Sequence, residues 1–191
     1  MSLPWFWYVV RVTGLLAWGG AWLSMFFGLL VSSRGAGGQV GVPASMELHR
    51  RWSLVTVGAA AVHALASVAA PEGGVPALAV LLPLVSPTER VAVGLGTVSL
   101  WGFGALVASE RLRAVLGPWG WRALHAGAFA AWIFALAHTL WIGTDLHNPV
   151  VRAVVLGSAA SVGAAFLFRV AHSVAAPAGR AARVGAGSAK A

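Results

Sequence analysis

Residues 45–70 read SMELHRRWSLVTVGAAAVHALASVAA, an apolar run that contains two histidines, His49 and His63. At a rise of about 1.5 Å per residue, this run is long enough to cross the roughly 30 Å hydrocarbon core of a bilayer as a helix. An ionisable side chain in lipid is costly, so a histidine in such a helix marks a functional site by default. The two imidazoles are about 21 Å apart along the helix axis and point within about 40° of each other.

A second apolar run, at residues 121–142, has the same pattern. It reads WRALHAGAFAAWIFALAHTLWI and contains His125 and His138, which are about 20 Å apart along a helix. In a regular helix these two side chains differ in direction by about 140°, so a bend, a tilt or a π-type irregularity is needed to bring both to one seam. One predicted span separates the two runs, so both helices point in the same direction. His49 then matches His125 in depth, and His63 matches His138.

The composition places the rest of the chain in a membrane as well. The chain has 191 residues, of which 59% are hydrophobic and only 9% are charged, too few charges to cover the surface of a soluble domain. We therefore predict an all-α integral membrane protein, a helical bundle with five spans. The predicted spans are residues 4–31, 45–70, 89–108, 121–142 and 150–174.

The sequence predicts a single membrane domain and a short tail. The bundle is expected over residues 1–176, followed by a flexible basic tail over residues 177–191, which is rich in alanine and glycine. The apolar stretch 75–85 is too short to cross a bilayer and contains Pro83. We interpret that stretch as an interfacial or re-entrant segment.

The basic residues predict the orientation of the bundle. They concentrate in and beside the loop between the first two spans, in and beside the loop between the third and fourth spans, and in the tail. These residues are Arg34, Arg50, Arg51, Arg111, Arg113, Arg122, Arg180, Arg183 and Lys190. Cytoplasmic loops of membrane proteins carry an excess of Lys and Arg, so we predict an N-terminus outside and a C-terminus in the cytoplasm, in the plasma (inner) membrane. This topology also accounts for the net charge of +8, so no nucleic-acid partner is expected.

The chain has no cysteine, which excludes disulfides, thiolate metal sites, iron–sulfur clusters and covalent haem attachment. Histidine is the usual axial ligand of haem iron. Two histidine pairs at matched depths therefore predict two noncovalent b-type haems, with His49 and His125 on the inner iron and His63 and His138 on the outer iron. A single haem and a haem-free role remain alternatives. A four-ligand zinc site is disfavoured, because about 20 Å separates the pairs.

Other candidate site residues are less specific. Arg11 is the one charge inside the first span, where it either snorkels to the interface or neutralises a haem propionate. Three arginines near the inner pair could contact the propionates or dock an acidic donor, or could simply reflect the positive-inside topology; they are Arg50, Arg51 and Arg122. His147 is expected to be solvated in a turn, and His172 to lie at the interface.

The sequence resembles the ferric reductase-like transmembrane domain superfamily. That group includes the membrane part of NADPH oxidases, ferric-chelate reductases and the haem subunit of the periplasmic methionine sulfoxide reductase system. The resemblance rests on these segments: RVTGL at 11–15, SSR at 32–34, LHRRW at 48–52 continuing to His63, SERLR at 109–113, and WRALH at 121–125 continuing to His138. It implies two b haems with the pairing above and electron flow from the cytoplasm outward.

The chain departs from that family in two ways. It has five predicted spans where many members have six, and it has no flavin or nicotinamide domain, since no G-x-G-x-x-G stands in a strand–helix setting. Neither flavin nor NAD(P) is therefore expected in this chain. Electrons are expected from a separate flavoprotein or quinol, and the acceptor is a redox protein, ferric iron, oxygen or a quinone.

The predicted function is therefore transmembrane electron transfer, as the cytochrome b component of an oxidoreductase. Two alternatives stay open. One is a non-catalytic, haem-containing anchor subunit of a larger membrane redox complex. The other is a haem-free transporter that uses histidines to move protons or metal ions.

Overall fold

The computed structural model describes residues 5–33, 42–70 and 74–188, with the side chains of all of these except residues 33, 42 and 172–188. Every regular element in these ranges is helical. The α-helices are α1 (Trp5–Ser33), α2 (Val42–Ala69), α3 (Ala77–Leu81), α4 (Arg90–Ser109), α5 (Arg113–Ala126), α6 (Ala128–Ile142) and α7 (Pro149–Ser188), and a short 3-10 helix, Thr144–His147, lies between α6 and α7. Within the described ranges, five helical segments are long and apolar enough to cross a membrane, which confirms the five predicted spans.

The first two helices lie side by side and run in opposite directions. Gly14, near the start of α1, faces His63 near the end of α2, and Gly28, near the end of α1, faces His49 near the start of α2. Small residues let membrane helices approach closely. A third close contact lies midway along the two helices, where Gly20 of α1 faces Thr56 of α2.

Two tryptophans form the centre of the bundle. The rings of Trp18 on α1 and Trp132 on α6 are stacked, with 5.5 Å between their centroids, and both side chains are buried. Trp18 Nε1 donates a hydrogen bond to Ser158 Oγ of α7 at 3.0 Å. Val155 and Val162 of α7 complete this core. Helices α1, α6 and α7 therefore meet at mid-height.

The fourth span is longer and more broken than the sequence predicted. Residues 109–121 were expected to form a loop, but most of them belong to α5, which has non-helical backbone at Gly117 (φ 66°) just before Pro118. Proline disfavours helical geometry in the residue before it, and glycine tolerates the positive φ. A second irregularity separates α5 from α6 at Gly127, whose N–H bonds to Leu124 O, three residues back.

The segment before α4 turns back along that helix. Thr97 Oγ1 donates a hydrogen bond to Ala79 O at 2.6 Å, and Trp101 Nε1 donates one to Val80 O at 3.1 Å. Thr97 and Trp101 lie about 10 Å and 16 Å along the axis from the first residue of α4. Two carbonyls at the end of α3 thus accept hydrogen bonds from side chains well along the spanning helix α4. This favours a re-entrant segment over an interfacial one for residues 75–85.

The two ends of the bundle carry different charged residues. At one end, called here the Asp145 end, α1 begins, α6 ends, and Arg11 contacts Asp145. The opposite end, called the Arg122 end, carries Arg50 and Arg122. Arg34 lies outside the described residues. The backbone of α7 continues to Ser188, and the tail predicted over residues 177–191 lies outside the described side chains.

Candidate functional site

Four imidazoles face each other in two pairs, one toward each end of the bundle. His49 of α2 lies beside His125 of α5, and the ring centroids are 6.1 Å apart with 64° between the ring planes. His63 of α2 lies beside His138 of α6, again at 6.1 Å between centroids, with 87° between the planes. These are the same pairs that the sequence matched by depth. The irregularity at Gly127 lies between His125 and His138, where the 13-residue offset required one.

Backbone carbonyls orient three of the four rings. The Nδ1 atoms of these rings each donate a hydrogen bond of 2.8 Å to a carbonyl of a neighbouring helix. The pairs are His49 with Ser24 O, His63 with Val10 O, and His138 with Ala92 O. A carbonyl can only accept, so Nδ1 carries the hydrogen and, in the neutral ring, Nε2 keeps a free lone pair. This tautomer is the one that binds a metal through Nε2.

A glycine lies against each of the same three rings. A Cβ atom on Gly14 would be 3.1 Å from His63 Nδ1, one on Gly28 would be 3.1 Å from His49 Nδ1, and one on Gly96 would be 2.7 Å from His138 Nδ1. In each case the glycine follows the accepting carbonyl by four residues, one helical turn later. One turn of the neighbouring helix therefore supplies both the acceptor and the space for the imidazole.

The role of these glycines beside the imidazoles was not predicted from the sequence. Gly14 and Gly28 are separated by the same 14 positions as His49 and His63, and this spacing was the signal that could have revealed them. Two antiparallel neighbouring helices with equal spacings place their residues opposite each other at both heights.

The fourth histidine, His125, has a different environment. Its Nδ1 is buried and has no hydrogen-bond partner among the described residues. Its ring stacks on Trp121, with 4.5 Å between centroids and 21° between planes. The guanidinium of Arg113 lies over the Trp121 ring at 4.4 Å from its centroid. Stacking thus replaces the backbone anchor that the other three imidazoles have.

The spacing of both pairs fits a metal held between two imidazole nitrogens. With metal–nitrogen bonds of about 2 Å and a five-membered ring on each side, two opposed ligands place their ring centroids about 6 Å apart. Haem needs only two such protein ligands per iron, since the porphyrin supplies the rest. No group of three or more His, Cys, Asp or Glu side chains that could hold a bare metal ion occurs in the described part of the chain.

A cavity of about 260 Å³ lies between the helices at the level of His63 and His138. Most of its walls are apolar and come from α1, α2, α4 and α6, and α3 contributes Ala79 and Val80. It extends from Trp18 at mid-height to Asp145 at the end of the bundle. Apolar walls with a few polar groups at the rim are typical of cofactor sites.

Arg11 at the rim of this cavity forms an ion pair with Asp145. Its Nε lies 2.7 Å from Asp145 Oδ1, its Nη2 also contacts that oxygen, and its guanidinium lies over the Trp7 ring at 3.9 Å from the centroid. The sequence predicted that Arg11 either snorkels to the interface or contacts a haem propionate. It did not predict the ion pair with Asp145. The ion pair fixes the guanidinium at the mouth of the cavity beside His63 and His138.

The remaining candidates lie on the surface. Arg51 forms an exposed ion pair with Glu47 one turn away, at 2.6 Å, and Arg122 lies over Trp119 at 5.7 Å from the ring centroid. Arg50 is exposed. All three arginines lie toward the end of the bundle that contains His49 and His125.

The other two histidines lie outside the pairs. His147 is exposed, and its Nδ1 donates a hydrogen bond to Thr144 O at 2.9 Å. The side chain of His172 is outside the described residues.

Comparison with protein-family models, with curated proteins and with solved structures finds no match to this chain. The fold and the site therefore define the class by themselves. This class is a five-span helical membrane protein in which two histidine pairs face each other toward opposite ends of the bundle.

Proposed function

We propose that this chain conducts electrons across the plasma (inner) membrane through two noncovalent b-type haems. The observation that carries the proposal is the equal separation of 6.1 Å between ring centroids in both histidine pairs. His49 and His125 hold one iron, and His63 and His138 hold the other. Haem supplies one-electron oxidation and reduction of iron at each position.

Three features of the protein support this role. Backbone acceptors hold three imidazoles in the metal-binding tautomer, and glycines leave room for those rings. Ligation by two histidines leaves no open coordination position at iron, which favours electron transfer over substrate binding. The bundle keeps the two sites about 20 Å apart along the membrane normal, so that together they bridge much of the hydrocarbon core.

The proposed direction is from the cytoplasm outward, with the Arg122 end inside. It rests on the excess of basic residues at that end and on the resemblance to the ferric reductase-like superfamily. Arg50, Arg51 and Arg122 surround the entry side, where an acidic donor or a quinol delivers electrons. The Asp145 end faces the extracytoplasmic acceptor, which is a redox protein, ferric iron, oxygen or a quinone.

A spectrum of the purified protein tests the cofactor. We expect a reduced b-type absorption band and two haems per chain, falling to one in His63→Ala, which loses chiefly the outer haem. His147→Ala is the matched control, because it removes an exposed histidine outside the pairs. A wild-type protein without bound haem would overturn the proposal and leave the haem-free transporter.

Reconstitution tests conduction. Vesicles that contain a reductant inside and an impermeant acceptor outside are expected to reduce the acceptor only when the loaded protein is present. His63→Ala should abolish this transfer, whereas His147→Ala should not. Two bound haems without transfer would overturn conduction and indicate the anchor subunit instead.

A further inference from the structure

The four paired imidazoles are not equally well held. His49, His63 and His138 each have a backbone acceptor at 2.8 Å and a glycine packed against the ring. His125 has no hydrogen-bond partner for its buried Nδ1 among the described residues, and none of the described glycines lies against its ring. His125 therefore differs from His49, its partner in the pair, and also from the two histidines of the other pair.

The helix that carries His125 is also the least packed of the helices that supply ligands. No residue of α5 is buried, whereas α2 and α6 both contribute buried residues. The part of α5 that carries His125, residues 118–126, lies between the backbone breaks at Gly117 and Gly127. A short helix between two breaks, with its side chains outside the core, opens at a smaller free energy than a packed span.

The contact that holds His125 is a stacked ring and not a hydrogen bond. The stacked Trp121 ring has its own Nε1 buried without a hydrogen-bond partner among the described residues. Neither His125 Nδ1 nor Trp121 Nε1 bonds to a described residue, so ring–ring contact and not a directional bond orients the imidazole. Hydrogen bonds from a ligating histidine to an acceptor fix its orientation and raise its basicity, and their loss typically lowers metal affinity about 10–100-fold.

We propose that His125 is the exchangeable ligand of the inner site, and that a small neutral molecule that binds ferrous iron can take its place. This inference rests on the proposed function, since it requires haem between His49 and His125. In the exchange, the bond between ferrous iron and His125 Nε2 breaks and a bond to the incoming molecule forms. The iron stays ferrous, and His49 stays in place through its hydrogen bond to Ser24 O.

Carbon monoxide is the probe, added to the reduced, fully loaded protein. The optical difference spectrum should saturate at one carbon monoxide for every two haems. No binding, or binding at both haems, overturns the proposal. A preparation without haem is recognised before the gas is added and overturns the proposed function instead.

Two double variants locate the binding site. His63→Ala/His138→Ala removes both outer ligands and should still bind carbon monoxide at its remaining haem. His49→Ala/His125→Ala keeps only the outer haem, which has both imidazoles anchored, and should bind none. The opposite pattern would place the exchangeable ligand at the outer pair and overturn the proposal.

A matched pair of tryptophan variants tests the role of the stack. Trp121→Ala removes the ring under His125, while Trp119→Ala changes an exposed tryptophan two residues earlier on the same helix. The rate of carbon monoxide binding should rise by about tenfold in Trp121→Ala, because the His125 imidazole loses the ring that orients it. The rate should stay unchanged in Trp119→Ala. Equal rates in both variants would contradict a ligand restrained by stacking.

Discussion

Gly96 lies so close to His138 that a Cβ atom on it would be 2.7 Å from Nδ1 of the imidazole. Gly96→Ala should therefore push the His138 ring out of position, because the added methyl group has no free space. On the proposed function, we expect the haem between His63 and His138 to be lost while the other remains, so the haem content falls from two per chain toward one. Haem and protein assays on the purified variant measure this ratio.

Gly104→Ala is the control for that experiment. Gly104 lies on the same helix, and a Cβ atom on it meets nothing within 4 Å among the described residues. Two haems should remain in this variant. Full retention of both haems in Gly96→Ala would contradict the assignment of His138 as a ligand held in the observed position.

The Arg11–Asp145 ion pair should influence the reduction potential of the haem that we propose between His63 and His138. Asp145→Asn leaves the guanidinium uncompensated beside the cavity, and a nearby positive charge favours ferrous over ferric iron. We expect the outer potential to rise in Asp145→Asn, to fall in Arg11→Gln, and to return toward the wild-type value in the double variant. Spectroelectrochemical titration reads all three values.

The exposed Arg51–Glu47 pair is the control for charge change alone. Glu47→Gln alters the same kind of interaction at the other end of the bundle, where solvent screens it. The outer potential should not move in this variant. A shift of the same sign in Arg11→Gln and Asp145→Asn would show that both act through distortion of the site and not through charge.

The orientation can be measured directly, because the chain contains no native cysteine. His147, at the end of the short 3-10 helix Thr144–His147, and Glu110, in the turn after α4, are both exposed and lie at opposite ends of the bundle. With a membrane-impermeant maleimide added to intact cells, His147→Cys should be labelled at once. Glu110→Cys should be labelled only after the cells are made permeable, and the reverse result would invert the proposed topology.

The stacked Trp18 and Trp132 rings should be the main packing contact at mid-height. Trp132→Ala leaves a cavity where two buried rings meet, and the free energy of unfolding should fall by about 3–5 kcal/mol. Trp141→Ala, on the same helix but exposed, should have a much smaller effect. Thermal unfolding in detergent compares the two, and equal losses would contradict a core at this position.

Hydrophobicity and spacing in the sequence were sufficient for much of this fold. Apolar length predicted the five spans, because a bilayer imposes one helix length on every crossing segment. The matching depths of His49 with His125 and of His63 with His138 followed from helix rise and direction alone. The break in the fourth span was also foreseen as a requirement of the 13-residue offset, although its position at Gly127 was not.

The sequence did not predict the surroundings of the histidines. The acceptors Val10 O, Ser24 O and Ala92 O are backbone atoms, which every residue possesses, so side-chain identity gives no sign of them. The ion pair of Arg11 joins residues 134 positions apart in the chain, and no local pattern connects them.

By itself, then, the sequence determined a membrane bundle with four histidines at two depths, since these properties depend on distances along single helices. Only the tertiary structure decided which neighbours hold each imidazole and that no carbonyl of the described residues anchors His125. Those features depend on how separate helices pack side by side, and helix packing is set by the shapes of all the contacting side chains together.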